Sequence, residues 1–456
     1  MTTNTVTENK MGVLPINRLL ISMSLPIMIS MLVQALYNIV DSIFVSQINE
    51  NAFTAVSLAF PVQNLMIAMG AGTGVGINAL LSKSLGEKNF GLANKAARNG
   101  IFLTFINFIV FILFGLFFTR TFFSAQSTNP EIVDYGVDYL SIIATMSIGL
   151  FGQITMERLL QATGKTIFSM FTQTLGAVVN IILDPVFIFG LGPVPKMDVK
   201  GAALATIIGQ LLAMLLGIYL NVTKNKEINI NMLGFRPDWR VIKKIYAVGI
   251  PSIIMQSITS IMTFCMNKIL GSYSDTAQAV LGAYFKLQSF IFMPVFGLTN
   301  GLIPILSYNY GARKRKRMTS TIRYGAIYAI TIMILGITLM QLIPDVMLKM
   351  FDASDNMLSM GSTAMRIISL SFIFAGFGII TSASLQALGH GVFSMLISIT
   401  RQLVVLLPAG FIIANLTHYS NVDYIWWAFP ISEIASFVCS ILFLKHIYKK
   451  VISVIA

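Results

Sequence analysis

"LLQATGKTIFSM" at residues 159–170 and "SLQALGHGVFSM" at residues 384–395 are two versions of one motif, 225 positions apart (384 − 159). Because a single ungapped offset aligns segments along most of the first half, the chain is an internal duplication. The fold must therefore consist of two similar bundles. The same offset relates "SLPIM" at 24–28 to "GIPSI" at 249–253, and "KSLGEKN" at 83–89 to "YNYGARK" at 308–314.

The composition is that of a membrane protein. Of 456 residues, 55% are hydrophobic and only 11% are charged, whereas soluble domains contain about 25% charged residues. Twelve apolar runs are long enough to cross a bilayer, so we expect an all-α polytopic membrane protein. The predicted spans lie near 17–46, 53–83, 96–120, 134–157, 167–191, 201–222, 243–270, 278–308, 321–343, 359–385, 393–414 and 425–445.

Each copy of the repeat carries six spans, an even number, so both copies enter the membrane in the same orientation. Parallel repeats of this kind are typical of transporters, with the substrate path between the two halves. The predicted domains are an N-terminal tail (1–14), a first lobe (15–222), a polar linker (223–242), a second lobe (243–448) and a C-terminal tail (449–456).

The distribution of Lys and Arg predicts the orientation. Most of the 31 basic residues fall on the face that also carries both termini, so we expect both termini to be cytoplasmic in a bacterial cell membrane. The run "RKRKR" at 313–317 lies in a short loop between two spans, and we therefore expect no nucleic-acid partner. The opposite face holds Arg120, Lys196, Lys200, Lys268 and Lys349.

Two acids within the predicted spans of the first lobe are candidate functional residues, because a charge at the centre of a membrane helix is costly. Asp184 lies four residues after Asn180, so the two share a helix face. Asp41 and Thr206 lie at about the same depth, which predicts an oxygen-rich cluster for H⁺ or Na⁺. Two alternatives are an Asp41 that reaches the membrane surface and a polar clamp between helices.

The repeat does not preserve these acids. Asp41 corresponds to Met266, and Asp184 corresponds to Ala409. Ion chemistry is therefore expected in the first lobe only. Tyr37, Gln34 and Pro26 on the first span are predicted to support the site.

In the second lobe, Lys286 and Glu433 are predicted at a similar depth and form a candidate polar pair, structural or functional. Arg366 and Arg401 have no partner that the sequence identifies. Cys265 and Cys439 fall inside spans and are interpreted as small apolar residues. The sequence contains no spacing typical of a nucleotide site, a zinc site or a catalytic triad, so we expect no enzyme activity and no cofactor. Any transport would then depend on an ion gradient or on a separate subunit.

The chain resembles the multidrug and toxic compound extrusion (MATE) transporters. The resemblance rests on "LPIMISMLVQALYNIVDSIFVS", "GAGTGVGINALLSKSLGEKN", "NIILDPVFIFG" with "VKGAALAT", and "FKLQSFIFMPVFGLTNGLIPILSYNYGARK". It implies two six-helix lobes in a V, and its DinF/MepA-like branch implies an ion-coupling site in the first lobe. The branch pattern matches Asp41, Asn180, Asp184 and Thr206.

The resemblance implies an antiporter that exports cationic or amphipathic organic compounds in exchange for H⁺ or Na⁺. Small organic cations and the lipid bilayer are the expected partners, and the protein is expected to be a monomer. Two alternatives remain open. One is a flippase for lipid-linked oligosaccharides, for which Arg366, Arg401 and Lys286 could bind pyrophosphate; the other is a membrane scaffold that transports nothing.

Overall fold

The computed structural model describes residues 9–350, 354–417 and 421–455, and in these ranges it contains helices and no β-strand. The all-α class predicted from the sequence is confirmed. The first half comprises α1 (Lys10–Val13), α2 (Ile16–Ser46), α3 (Glu50–Gly86), α4 (Phe90–Phe117), α5 (Thr119–Ser124), α6 (Pro130–Thr145), α7 (Ile148–Ala162), α8 (Thr166–Phe189) and α9 (Asp198–Lys224). The second half comprises α10 (Trp239–Gly271), α11 (Asp275–Gly311), α12 (Arg315–Leu342), α13 (Pro344–Lys349), α14 (Asp355–Ser369), α15 (Phe372–Ala387), α16 (Gly391–Ile399), a π-helical segment (Thr400–Leu406), α17 (Leu407–Leu416), a 3-10 turn (Val422–Trp427), α18 (Ala428–Ile447) and a π-helical turn (Tyr448–Ile452).

The helices are long enough to cross a membrane. In the part of the chain that the structure describes, ten helices are sufficiently long and apolar, and two bent helix pairs raise the number to twelve when each pair counts as one span. The bent pairs are α6 with α7, at 43°, and α14 with α15, at 51°. They occupy the predicted spans 134–157 and 359–385, so every predicted span corresponds to a helix or to a bent pair.

The second bend has a local cause. It lies between α14 and α15, where the Ser371 hydroxyl donates to the carbonyl oxygen of Ile368 at 2.6 Å. A serine that bonds to a nearby backbone carbonyl competes with the helical ladder and favours a bend.

The duplication is visible in the backbone. The limits of α3 and α11 differ by 225 positions at both ends. The turns that follow also correspond: Lys88 and Arg313 have φ values of 56° and 55°, and Gly164 and Gly389 have φ values of 83° and 85°. The halves thus share their helix limits and the left-handed turns that end the helices.

Equivalent side-chain hydrogen bonds also recur at the repeat offset. The hydroxyl of Ser82 donates to the carbonyl oxygen of Ala162 at 2.9 Å, and that of Ser307 donates to Ala387 at 2.8 Å. Gln161 and Gln386 donate to Ser169 and Ser394, at 2.8 and 3.0 Å. The duplication therefore preserves polar packing as well as helix length.

The two compact units of the structure exchange the starts of two helices. One unit contains residues 29–253, and the other contains the residues up to Met28 together with those from Ile254 onward. These limits fall inside α2 and α10, whereas the sequence predicted lobes of 15–222 and 243–448 divided by a linker. The starts of α2 and α10 thus pack with the half of the chain to which they do not belong in sequence.

Glycines on α3 and α11 allow the starts of α10 and α2 to pack closely in the units that contain them. A Cβ at Gly76 would lie 2.2 Å from the carbonyl oxygen of Ile245 at the start of α10. In the other unit, a Cβ at Gly301 would lie 2.3 Å from the hydroxyl oxygen of Ser24 at the start of α2. Small residues let helices approach closely in a membrane, and these two glycines occupy equivalent positions of the repeat.

Candidate ion-coupling site

The polar cluster predicted in the first half depends on close contact between α8 and α9. Gly176 on α8 and Gly209 on α9 face each other, and a Cβ at Gly209 would lie 2.6 Å from the carbonyl oxygen of Gly176. The absence of side chains at both positions lets the two backbones approach. Asn180, one turn beyond Gly176, therefore reaches Thr206 on α9.

Asn180 connects the polar groups of the two helices. With its nitrogen directed at Asp184, the amide donates to Asp184 Oδ2 at 2.9 Å, and its oxygen accepts from the hydroxyl and the backbone N–H of Thr206, both at 3.1 Å. All three side chains are buried, with exposed fractions of 0% for Asp184, 2% for Asn180 and 7% for Thr206. The structure thus places these three side chains together, and their role in ion coupling stays a prediction.

Asp41 completes the cluster from α2. The carboxyl groups of Asp41 and Asp184 lie close enough to interact with each other. Two ionised carboxylates can only accept hydrogen bonds, so a proton bound to one of the two acids would let them hydrogen-bond to each other. Among the described residues, Asp41 Oδ1 is buried and has no hydrogen-bond partner. This oxygen, which lacks a hydrogen-bond partner and lies beside a second carboxyl group, is suited to bind a proton or a small cation.

Two tyrosines adjoin the carboxyl pair. Tyr37, one turn before Asp41 on α2, was predicted from the sequence, and it interacts with both acids. Tyr139 on α6 was not predicted; it is 3% exposed and interacts with the same acids. Its hydroxyl accepts a hydrogen bond from Gln63 Nε2 at 3.0 Å. Neither Tyr139 nor Gln63 has a sequence signal that sets it apart from other residues of its helix.

The other predicted supporting residues lie elsewhere. Gln34 is on α2, seven residues before Asp41, and its side chain is exposed. Pro26 lies within the helix, two residues before the point where α2 passes from one compact unit to the other. It is fifteen residues before Asp41, about 22 Å along the helix axis, and is therefore not part of the cluster.

The polar pair predicted in the second half has a different composition. The sequence suggested Lys286 and Glu433, but Arg401 Nη1 lies 3.1 Å from Glu433 Oε1, and Lys286 is exposed. The reason is that Arg401 lies in the π-helical segment that packs beside α18. This pair also gives Arg401 the partner that the sequence did not identify.

A family model decides the relationship of the chain to known proteins. The MatE model matches residues 26–186 and again residues 251–412. The chain belongs to the MatE family. The two MatE matches begin 225 positions apart (251 − 26), which is the offset of the repeat described above. Each half is therefore one copy of the MatE domain.

Relatives of this MatE chain include exporters. It is 28% identical over 428 residues to the multidrug export protein MepA of Staphylococcus haemolyticus, covering 93% of this chain and 92% of that protein. It is 26% identical over 404 residues to the FAD transporter of Shewanella oneidensis, covering 86% and 87% of the two chains.

Solved structures share the fold. A crystal structure of MATE in complex with MaL6 superposes with a TM-score of 0.92 at 24% identity, over 98% of this chain and 99% of the other. An outward-facing multidrug resistance MATE family transporter of the MOP superfamily superposes with a TM-score of 0.91 at the same identity and coverage. The chain thus has the complete MatE fold.

Proposed function

We propose that this protein is a secondary active antiporter that exports cationic or amphipathic organic compounds in exchange for H⁺ or Na⁺. The observation that carries the proposal is the pair of interacting carboxyl groups of Asp41 and Asp184, which lies with the buried Asn180 and Thr206 in a MatE domain. Intramembrane acids typically mark ion pathways. The similarity to a protein named for multidrug export supports the choice of cargo.

The transport cycle follows from the electrostatics of this pair. Binding of H⁺ or Na⁺ at Asp41 and Asp184 removes negative charge from the interior of the bundle. Because an ion shifts a conformational equilibrium only by its different affinity for the two states, the site must hold the ion more tightly in the state that releases cargo. Pro26 lies where α2 passes between the compact units, and we propose that α2 rearranges there.

A second class of cargo should be compared directly with organic cations, because a relative is named as an FAD transporter. FAD is an anionic nucleotide, whereas the first class consists of cations. Competition between FAD and a fluorescent cation for export therefore separates the two cargoes. Flipping of lipid-linked oligosaccharides is not favoured, since the relatives reported above are named for the transport of small molecules.

The remaining elements of the proposal follow the same reasoning. The chain is a multi-pass membrane protein, and we propose that it lies in a bacterial cell membrane as a monomer with both termini in the cytoplasm. We also propose that it works without a cofactor, a nucleic-acid partner or enzyme activity. The excess of basic residues on one face supports the orientation.

Efflux in everted vesicles tests the proposal. Ethidium uptake into vesicles that contain the wild-type chain is measured under a pH gradient alone and under a sodium gradient alone. We expect uptake under one of the gradients and its loss in Asp41→Asn. The matched control is Met266→Leu, at the equivalent position of the second copy, which should transport normally. Full uptake by Asp41→Asn would show that the carboxyl pair does not couple the ion.

A further inference from the structure

A second buried acid lies in the first half, away from the carboxyl pair. Glu157 is on α7, five residues before the helix ends at Ala162, and its exposed fraction is 4%. Asp184 lies instead five residues before the end of the next helix, α8. Since consecutive antiparallel helices end at opposite sides of a bundle, the two acids are at different depths. The position equivalent to Glu157 in the second copy is Ser382.

Neutral groups hold the carboxylate of Glu157. Gln153 Nε2 donates to Oε1 at 2.9 Å, Thr172 donates its hydroxyl to Oε1 at 3.3 Å, and Gln173 Nε2 donates to Oε2 at 2.8 Å. Among the described residues, Arg158 is the charged group that acts on Glu157. The Arg158 guanidinium donates to Gln161 Oε1 at 2.9 Å. The carboxylate is thus stabilised mainly by neutral dipoles.

The Gln173 amide can form a hydrogen bond with Glu157 in either protonation state of the acid. Its nitrogen donates to the carboxylate, while its own Oε1 is buried and has no partner among the residues that the structure describes. If Glu157 binds a proton at Oε2, rotation of the amide brings Gln173 Oε1 to accept the new O–H. An amide offers both a donor and an acceptor, which a Lys or Arg side chain cannot do.

The contacts favour a proton over a metal ion or an organic cation. Three N–H or O–H groups already point at the carboxylate oxygens, and their hydrogens would repel a sodium ion at those positions. The near-complete burial of Glu157 leaves no surface for an organic cation. A proton needs only one free lone pair, and Oε2 accepts a single hydrogen bond.

One face of α8 connects Glu157 with the carboxyl pair. Gln173 contacts Glu157, and Asn180 contacts Asp184. Seven residues separate Gln173 from Asn180, which is close to two helical turns, or about 10 Å. The two amides therefore lie on the same face, and each touches one acidic site.

We propose that Glu157 is a second proton-binding site of this transporter, which takes up and releases a proton during the export cycle. The inference rests on the proposed function and adds to it a proton beyond the H⁺ or Na⁺ held at Asp41 and Asp184. A buried carboxylate whose hydrogen-bond partners are neutral has its charge only partly compensated, by Arg158, so binding of a cargo cation nearby would favour its ionised form and cargo release would favour its protonated form.

Counting protons on cargo binding tests this inference. Tetraphenylphosphonium is added to the purified chain in weakly buffered detergent solution, and released protons are measured with a pH-sensitive dye. We expect the wild-type chain to release about one proton per chain more than Glu157→Gln, by the linkage of ligand and proton binding. Glu157→Asp keeps a carboxyl group and should recover most of that difference.

The control variant is Glu433→Gln, which removes a membrane acid that an arginine already neutralises, and its proton count should equal that of the wild type. Size-exclusion chromatography verifies that each variant is folded. Equal proton release by the wild type and Glu157→Gln would overturn the role of Glu157, as would a count for Glu157→Asp equal to that of Glu157→Gln. The proposed function fails separately, if the wild-type chain does not bind tetraphenylphosphonium at all.

Discussion

The acids inside the helix bundles of the two halves differ in the groups that hold them. In the first half, Asp184 and Glu157 are held by amides, hydroxyl groups and another carboxyl group. In the second half, Glu433 is held by the guanidinium of Arg401. A guanidinium fixes a carboxylate in its ionised form, whereas neutral partners allow it to gain and lose a proton. The duplicated scaffold therefore contains a fixed ion pair and, as we propose, an exchangeable set of acids.

The largest effect is expected when the fixed pair is broken. Arg401→Met leaves the half-buried carboxylate of Glu433 without its cation inside a membrane helix, and we expect a loss of about 3 kcal/mol in the free energy of unfolding. The double variant Arg401→Met/Glu433→Leu should recover most of that loss. The midpoint of thermal unfolding in detergent measures both. A single variant as stable as the wild type would show that the pair is not structural.

A smaller effect, on transport rather than stability, is expected in the exchangeable set. Asp184→Asn keeps the shape of the side chain and removes its charge and its proton. We expect gradient-driven ethidium efflux to fall by about 5–150-fold, the usual range of coupling between two ligands. The midpoint of thermal unfolding should stay close to that of the wild type. Unchanged efflux would place the coupling ion outside this cluster.

Substitutions at the repeated glycines test the part of the structure that the halves share. Gly76→Ala and Gly301→Ala each place a methyl group against a neighbouring helix. We expect both to lower the free energy of unfolding, each by about 1–3 kcal/mol. The control is Gly282→Ala, where a Cβ meets open space. A loss confined to one half would show that the two helix contacts are not equivalent.

The smallest effect is expected for an ion pair outside the spans. Lys95 Nζ lies 3.0 Å from Asp238 Oδ2, and this hydrogen bond lowers the pKa of Asp238. A lowered pKa contributes stability above the unfolded value, about 3.9, and that contribution disappears as the pH falls through the folded value. Asp238→Asn should therefore unfold slightly earlier than the wild type at pH 7, and the difference should shrink as the pH falls below the unfolded value. A difference that does not shrink at acidic pH would assign the effect to packing.

Much of the fold follows from the sequence, because hydropathy and the repeat are both properties of local sequence. The contact of Asn180 with Asp184 and Thr206 was also predictable, since helical spacing and membrane depth restrict where those side chains can lie. Tyr139 and Gln63 were not predictable, because only tertiary packing brings Tyr139 to Asp41 and Gln63 to Tyr139. Glu157 was overlooked because its neutral partners lie in apolar runs without a recognisable motif.

The partner of Glu433 was missed for a geometric reason. Arg401 is the second residue of a π-helical segment, Thr400–Leu406, whose wider turns rotate side chains away from the directions that a 3.6-residue period predicts. The exchange of the starts of α2 and α10 could not be predicted either. The apolar pattern of each helix is the same before and after the point where the helix passes from one compact unit to the other.

The exchanged helix starts have a consequence for the origin of the protein. Each compact unit is completed by a segment from the other copy of the repeat. An ancestor with a single repeat could have completed its bundle only if two molecules exchanged the starts of their first helices. Such an ancestor would have been a reciprocal dimer, and fusion of its two genes would give one polypeptide with the helix exchange seen here.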